Sequence, residues 1–216
     1  MLIKSSIKDF IALVDSSSPA PGGGSVSALA STLGSALSRM VGHLTITKKS
    51  FAKLEPSIQI KMISKMEMIL EHQAALLSLI DQDTDAFNKM MDAYSLPKET
   101  EEDKKHRFGM IQKATVGGID VPLSVMRHSL AILDTLDFFV KYGNKTAISD
   151  IGVGCHLLYS GIMGAYLNVK INLPTLKDEE LKNAYLKEST DITLKAFDIL
   201  NICLGEINHV LDQSMV

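Results

Sequence analysis

Tryptophan is absent from these 216 residues, aromatic side chains make up only 6%, and neither charge dominates: 22 Lys and Arg stand against 25 Asp and Glu, a net charge of -3. A chain with no basic surplus and few stacking rings lacks the electrostatic footprint and the base platforms of nucleic-acid binding. Cysteine is scarce as well. Cys155 and Cys203 lie far apart and outside any CxxC spacing, which points to free, buried thiols in a reducing compartment, the cytoplasm. His43, His72, His106, His128, His156 and His209 have no partners at metal-ligand spacing, so no metal is expected. Neither cysteine has a histidine near it in sequence to mark a nucleophile. The opening MLIKSSIKDFIALVD sets Ile3, Ile7, Phe10, Ile11 and Val14 at helical spacing and lacks the unbroken apolar core and small-residue cleavage site of a signal peptide. One uncharged segment, residues 151–169, approaches the length of a bilayer span. His156, Asn168 and four glycines dilute it, and no second such segment exists to pack against it, so it reads as a buried central helix.

What the chain does have is helical periodicity. Its six prolines fall at or near element boundaries, and the stretches between them repeat near 3.6 residues rather than 2. Helices are expected at about 5–15, 25–46, 56–93, 98–118, 122–141, 145–170 and 178–213. The fold class is all-α: a single-domain bundle of long helices over residues 1–216, without a sheet. The charge run KETEEDKKHR from Lys98 reads as a solvated helix start.

The stretch PAPGGGSVSALASTLGSALSRMV, from Pro19 to Val41, carries three consecutive glycines before a helix. A P-loop needs Lys-Ser/Thr after its last glycine, and a dinucleotide fingerprint needs a preceding strand and spaced glycines; neither is met. At 100° per residue, Val26, Leu29, Leu33, Leu37, Met40 and Leu44 form one stripe, and Ser27, Ser31, Gly34, Ser35, Ser38 and Gly42 form another about 140° away. The leucine stripe is expected in the core. The Ser/Gly stripe removes the bulk that holds helices 8–10 Å apart, so a second backbone or a flat ligand can approach. Ser25 is expected to cap the helix, whose start also suits an anion.

Two acids stand out. On the helix striped by Met62, Met66, Ile69, Gln73, Leu77, Ile80, Thr84, Phe87 and Met91, Asp83 falls at the edge of the apolar face, while Asp81 and Asp85 point further out. A carboxylate against apolar neighbours has a raised pKa suited to proton transfer; a buried structural Asp is the alternative. Asp150 shares a face with Gly154, Leu157, Gly161, Gly164 and Asn168, a carboxylate and an amide flanking a strip of glycines. Its alternative is N-capping beside Ser149.

PAPGGGSVSALASTLGSALSRMVGHLTITKK, DQDTDAFNKMMDAYSLPKET, VPLSV and GNKTAISDIGVGCHLLYSGIMGAYLNVKINL, in that order and spanning nearly the whole chain, resemble the cyclodeaminase/cyclohydrolase family of tetrahydrofolate enzymes. The resemblance implies an all-helical homodimer with a folate pocket between helices at or near the subunit contact. It implies either of two reactions: hydrolysis of 5,10-methenyl-tetrahydrofolate to the 10-formyl compound, which we prefer, or closure of 5-formimino-tetrahydrofolate to the methenyl compound with loss of ammonia. The substrate is the tetrahydrofolate derivative itself, and no prosthetic group is expected.

By the same resemblance Asp83, Asp150 and Lys48 are the expected catalytic residues. One acid serves proton transfer and the other pterin recognition, in an order left open. Gly23, Gly24, Ser25, Lys49, Asn144, Ser149, Gly154 and Asn168 are the expected substrate-binding residues. For Lys48 and Lys49 the alternative is a solvated helix end. His43 departs from the uncharged residue usual in the family, and Thr47 from its common glycine. The competing class is a helical dimer that binds folate or a protein partner without turnover.

Overall fold

The computed structural model describes residues 1–213. Its seven α-helices are α1 (Ile7–Val14), α2 (Gly23–Ile46), α3 (Pro56–Ser95), α4 (Glu101–Leu133), α5 (Leu136–Tyr142), α6 (Ile148–Asn172) and α7 (Glu179–Gln213), and no strand occurs among the described residues. Local chemistry starts several of them. Ser6 accepts the Asp9 N–H to cap α1, Pro56 opens α3 at a position where its missing N–H costs nothing, and a Thr100–Asp103 capping box starts α4 inside the charge run.

Helix α6 runs through the centre, packed by α2, α4 and α7. Its Ile151, Cys155, Leu158, Ile162, Ala165 and Val169 are fully buried, so the uncharged segment is indeed a core helix. Among the described residues no helix is long and apolar enough to cross a membrane.

Two expectations are corrected. The first is a helix boundary at Pro122. Helix α4 instead runs through Pro122 to Leu133, and the break falls before the short α5. A proline inside a helix leaves the carbonyl four residues earlier without its donor. Here that carbonyl belongs to Gly118, and the Asn172 side chain of α6 donates to it at 3.0 Å. A neighbouring amide thus replaces the lost backbone bond, and the helix continues.

The second is the orientation of α2. Its Ser/Gly face is the buried one: Ser25, Ser31, Ser35 and Ser38 are fully buried, while Leu33 is 51% exposed and Val26, Met40 and Leu44 are exposed too. The reason lies in α6, whose Gly154, Gly161 and Gly164 meet this face. A Cβ on Gly34 would fall 2.8 Å from the Gly154 carbonyl oxygen; one on Gly161 would overlap Ser31 Oγ and lie 2.7 Å from the Ser27 carbonyl oxygen. Several buried hydroxyls are satisfied within their own helix, as in Ser27 to the Gly23 carbonyl at 2.6 Å, Thr32 to Ala28 at 2.8 Å and Ser38 to Gly34 at 2.8 Å, and Ser31 pairs with the Ser129 hydroxyl of α4 at 2.7 Å. They carry no unpaired polar group into the contact.

Substituting Gly161→Val therefore forces α2 and α6 apart and costs about 1–3 kcal/mol. Gly205→Ala, on α7 with nothing within 4 Å of its would-be Cβ, adds about 0.5–1 kcal/mol through helix propensity. Urea midpoints of the two variants should move in opposite directions.

Candidate active site

Helix α2 begins at Gly23, behind a turn in which the Ala20–Pro21 peptide is cis. Its N-cap, Gly22, has no side chain to offer. Ser25, expected as the cap, lies inside the first turn. The capping acceptor comes from α3: Asp83 Oδ2 accepts the Ser25 N–H at 2.8 Å and lies 3.1 Å from Ser25 Oγ, which also reaches the Ile80 carbonyl at 2.9 Å. Asp83 thus occupies the anion position that a helix N-terminus creates. A Cβ on Gly24 would overlap this carboxylate, so the glycine is what allows the approach. Burial pushes the Asp83 pKa above the usual carboxylate value, against the opposing pull of the two Ser25 hydrogen bonds. Ser25 itself is fully buried and holds Asp83 in place.

Asp83 lines a cleft of about 390 Å³ with Gly23 and Gly24, Phe87, Met90 and Tyr94 of α3, and Asn168 and Asn172 of α6. The first N–H groups of a helix have no partner within it, and those of Gly23 and Gly24 meet no acceptor among the described residues. An ionisable acid, backbone donors, side-chain amides and an apolar wall therefore share one opening.

The remaining expected residues gather elsewhere. Beyond the far end of α2, Lys48 Nζ donates to Asn144 Oδ1 at 2.7 Å. That oxygen also accepts the Thr146 N–H, and the Asn144 N–H donates to Thr45 Oγ1 at 2.9 Å. Asn144 thereby fixes the turn leading into α6. Asp150, in the first turn of α6, is half-buried and accepts no hydrogen bond from any described residue, so it does not serve as the cap. Ser149, Lys49 and His43 are exposed. Gly154 lies under α2, where a Cβ would meet Ser38 Oγ at 2.9 Å, so the expected glycine groove is filled by a helix.

The structure accordingly joins Gly23, Gly24, Ser25, Asp83 and Asn168 at one end of α2 and Lys48 with Asn144 at the other. Twenty-four residues separate those ends by about 36 Å at the helical rise. Sequence reasoning missed Asn172, although its place one turn after Asn168 on α6 was a usable signal. Cys155 and Cys203 are buried between α6 and α7 as free thiols; the hydrogen bond that the Cys155 thiol donates to Cys203, together with burial, pushes the Cys155 pKa up, the opposite of what a nucleophile needs.

The family model for formiminotransferase-cyclodeaminase matches residues 6–191. The methenyltetrahydrofolate cyclohydrolase of Methylorubrum extorquens is 35% identical over 190 residues, 88% of this chain and 89% of that protein. The formimidoyltransferase-cyclodeaminase of Dictyostelium discoideum is 37% identical over 208 residues, 96% of this chain but 37% of that protein, and that of Gallus gallus is 34% identical over 84% of this chain and 33% of its own. The chain thus spans about a third of those longer relatives. The crystal structure of formiminotetrahydrofolate cyclodeaminase from Thermotoga maritima superposes with a TM-score of 0.80 at 25% identity, covering all of both chains.

Because the Asp83 pKa is raised on folding, the ionised carboxylate costs the folded state. That contribution favours folding below the unfolded-state value and is lost as pH rises through the raised one. Asp83→Asn should therefore be at least as stable as the wild type at pH 7, with its advantage shrinking toward pH 4 in urea titrations. Gly24→Ala, which crowds the carboxylate, should lose stability at both pH values.

Proposed function

The chain belongs to the formiminotransferase-cyclodeaminase family, and from that premise we propose that it hydrolyses 5,10-methenyl-tetrahydrofolate to 10-formyl-tetrahydrofolate. It is an enzyme of folate one-carbon chemistry, as its relatives are; the non-catalytic alternative falls away. The observation that carries the reading is Asp83, a half-buried carboxylate with raised pKa held by a helix start on the wall of an open cleft. Water adds to the amidinium carbon between N5 and N10, and Asp83 takes its proton. As the tetrahedral carbon collapses to the formyl group, the N5–C bond breaks and N5 receives that proton; the second proton of the water leaves to solvent. Neither this reaction nor the cyclodeaminase reaction changes an oxidation state, which supports turnover without a prosthetic group. The match in extent to the M. extorquens cyclohydrolase favours hydrolysis. The T. maritima structure favours the second reading, in which N10 attacks the formimino carbon and ammonia leaves.

In this reading the protein is a homodimer whose sites are shared. Val26, Leu33, Met40 and Leu44 run the length of α2 on its outer face. Two such stripes pairing antiparallel about a two-fold axis bring the Asp83 end of one protomer to the Lys48–Asn144 end of the other. Lys48 and Lys49 then face the glutamate carboxylates of the substrate, and Asp150, with Ser149 beside it, supplies the second acid. The two helix ends, each holding a part of the expected residues, support this arrangement. The shared hydrophobic cluster of the long helices supports a single domain, and the two free cysteines support a cytoplasmic location.

Loss of methenyl-tetrahydrofolate absorbance on adding the purified protein tests hydrolysis; appearance of the same chromophore with ammonia from the 5-formimino substrate tests deamination. Inertness toward both ends the reading. Asp83→Asn should lower kcat about 10²–10⁴-fold with the fold retained. Leu33→Glu should give inactive monomers by size-exclusion chromatography. Unfolding and refolding an equal mixture of Asp83→Asn and Lys48→Ala chains should recover about a quarter of the wild-type rate, because half of the dimers hold one intact site; a mixture as inactive as its parents would show that the sites are not shared.

A further inference from the structure

We infer that Asn172, together with Asn168, is a specificity-determining residue that reads the hydrogen-bond-donating edge of the pterin ring. The inference rests on the folate reading of the cleft and says which side of the ligand α6 recognises. Asn172 Nδ2 donates to the Gly118 carbonyl at 3.0 Å and to the Asn168 carbonyl at 3.0 Å, and Asn168 Nδ2 donates to the Gly164 carbonyl at 2.8 Å. A carbonyl can only accept, so each of these bonds requires the amide nitrogen and fixes the orientation of the group. The side-chain oxygens are thereby committed as acceptors, and neither receives a hydrogen bond from any described residue. Both residues line the cleft beside Asp83.

The wall that α6 presents is therefore an acceptor wall, one helical turn long. A 2-amino-4-oxo pterin offers the complement: N3–H and the 2-amino group are consecutive donors on one edge of a flat ring. Leaving such an acceptor unpaired in a closed site is penalised, which turns the pair into a discriminator. The nitrogen of Asn172 has a structural task, replacing the donor that Pro122 removes from Gly118. Its oxygen has none, and that division makes the inference testable.

The measurement is equilibrium binding of tetrahydrofolate and of its 2-desamino-2-methyl analogue, with steady-state kinetics alongside. The proteins are the wild type, Asn172→Leu, and the double variant Asn172→Leu/Pro122→Ala, in which the restored residue-122 N–H can satisfy Gly118. The wild type should prefer tetrahydrofolate by about tenfold or more. In the double variant the preference should collapse to within about threefold, with KM raised and kcat within about threefold of wild type. An undiminished preference in the double variant overturns the inference while leaving the folate reading standing. A wild type that binds neither ligand and turns over no folate overturns both.

Discussion

Everything in this bundle is referred to the closeness of α2 and α6. Serine and glycine on one helix face glycine on the other, and at Gly34–Gly154 and Ser31–Gly161 not even a methyl group would fit between them. Helices packed through leucines tolerate small slides, because side chains can change rotamer. Helices packed through backbone cannot. The start of α2 and the end of α6 therefore hold a fixed mutual position, and the cleft that carries Asp83, Asn168 and Asn172 lies between those termini. Asp83 then locks α3 to the same frame through Ser25.

Two backbone groups around the cleft that lack their own helical partner are met by a side chain from a neighbouring helix. Asp83 meets the Ser25 N–H left free at a helix start, and Asn172 meets the Gly118 carbonyl left free by Pro122. In both cases the supporting side chain keeps one polar atom in hand. Asp83 and Asn172 both line the cleft, so the polar atoms they offer there are what backbone repair leaves over.

How far the sequence was legible follows from what a helical wheel encodes. It separates two faces of α2 correctly, since the periodicity resides in the residues themselves. It cannot say which face meets its own chain, because that depends on the partner helix; the leucines looked like core and proved to be the outer face. Asp83 was visible because an acid at the edge of an apolar stripe is unusual wherever the stripe points. Asp150 and the glycine strip were read as one groove, whereas α2 fills the strip and leaves the acid by itself. Pro122 misled for a related reason: a helix break is the local rule, and its exemption lies in Asn172, on a different helix. Ser25 carried a cap signal, but the cap came from Asp83, remote in sequence and adjacent in space.

The hydroxyls of Ser27, Thr32 and Ser38 each return to a carbonyl one turn back, so at these positions of α2 the packing is blind to whether an oxygen or a methyl group is present. Ser27 or Ser38 exchanged for alanine keeps nearly the same shape, and exchanged for valine does not. Mutational drift at such positions is thus constrained by volume and indifferent to polarity. A library that scores substitutions there by hydrophobicity would rank them almost at random; one that scores them by side-chain size would rank them well.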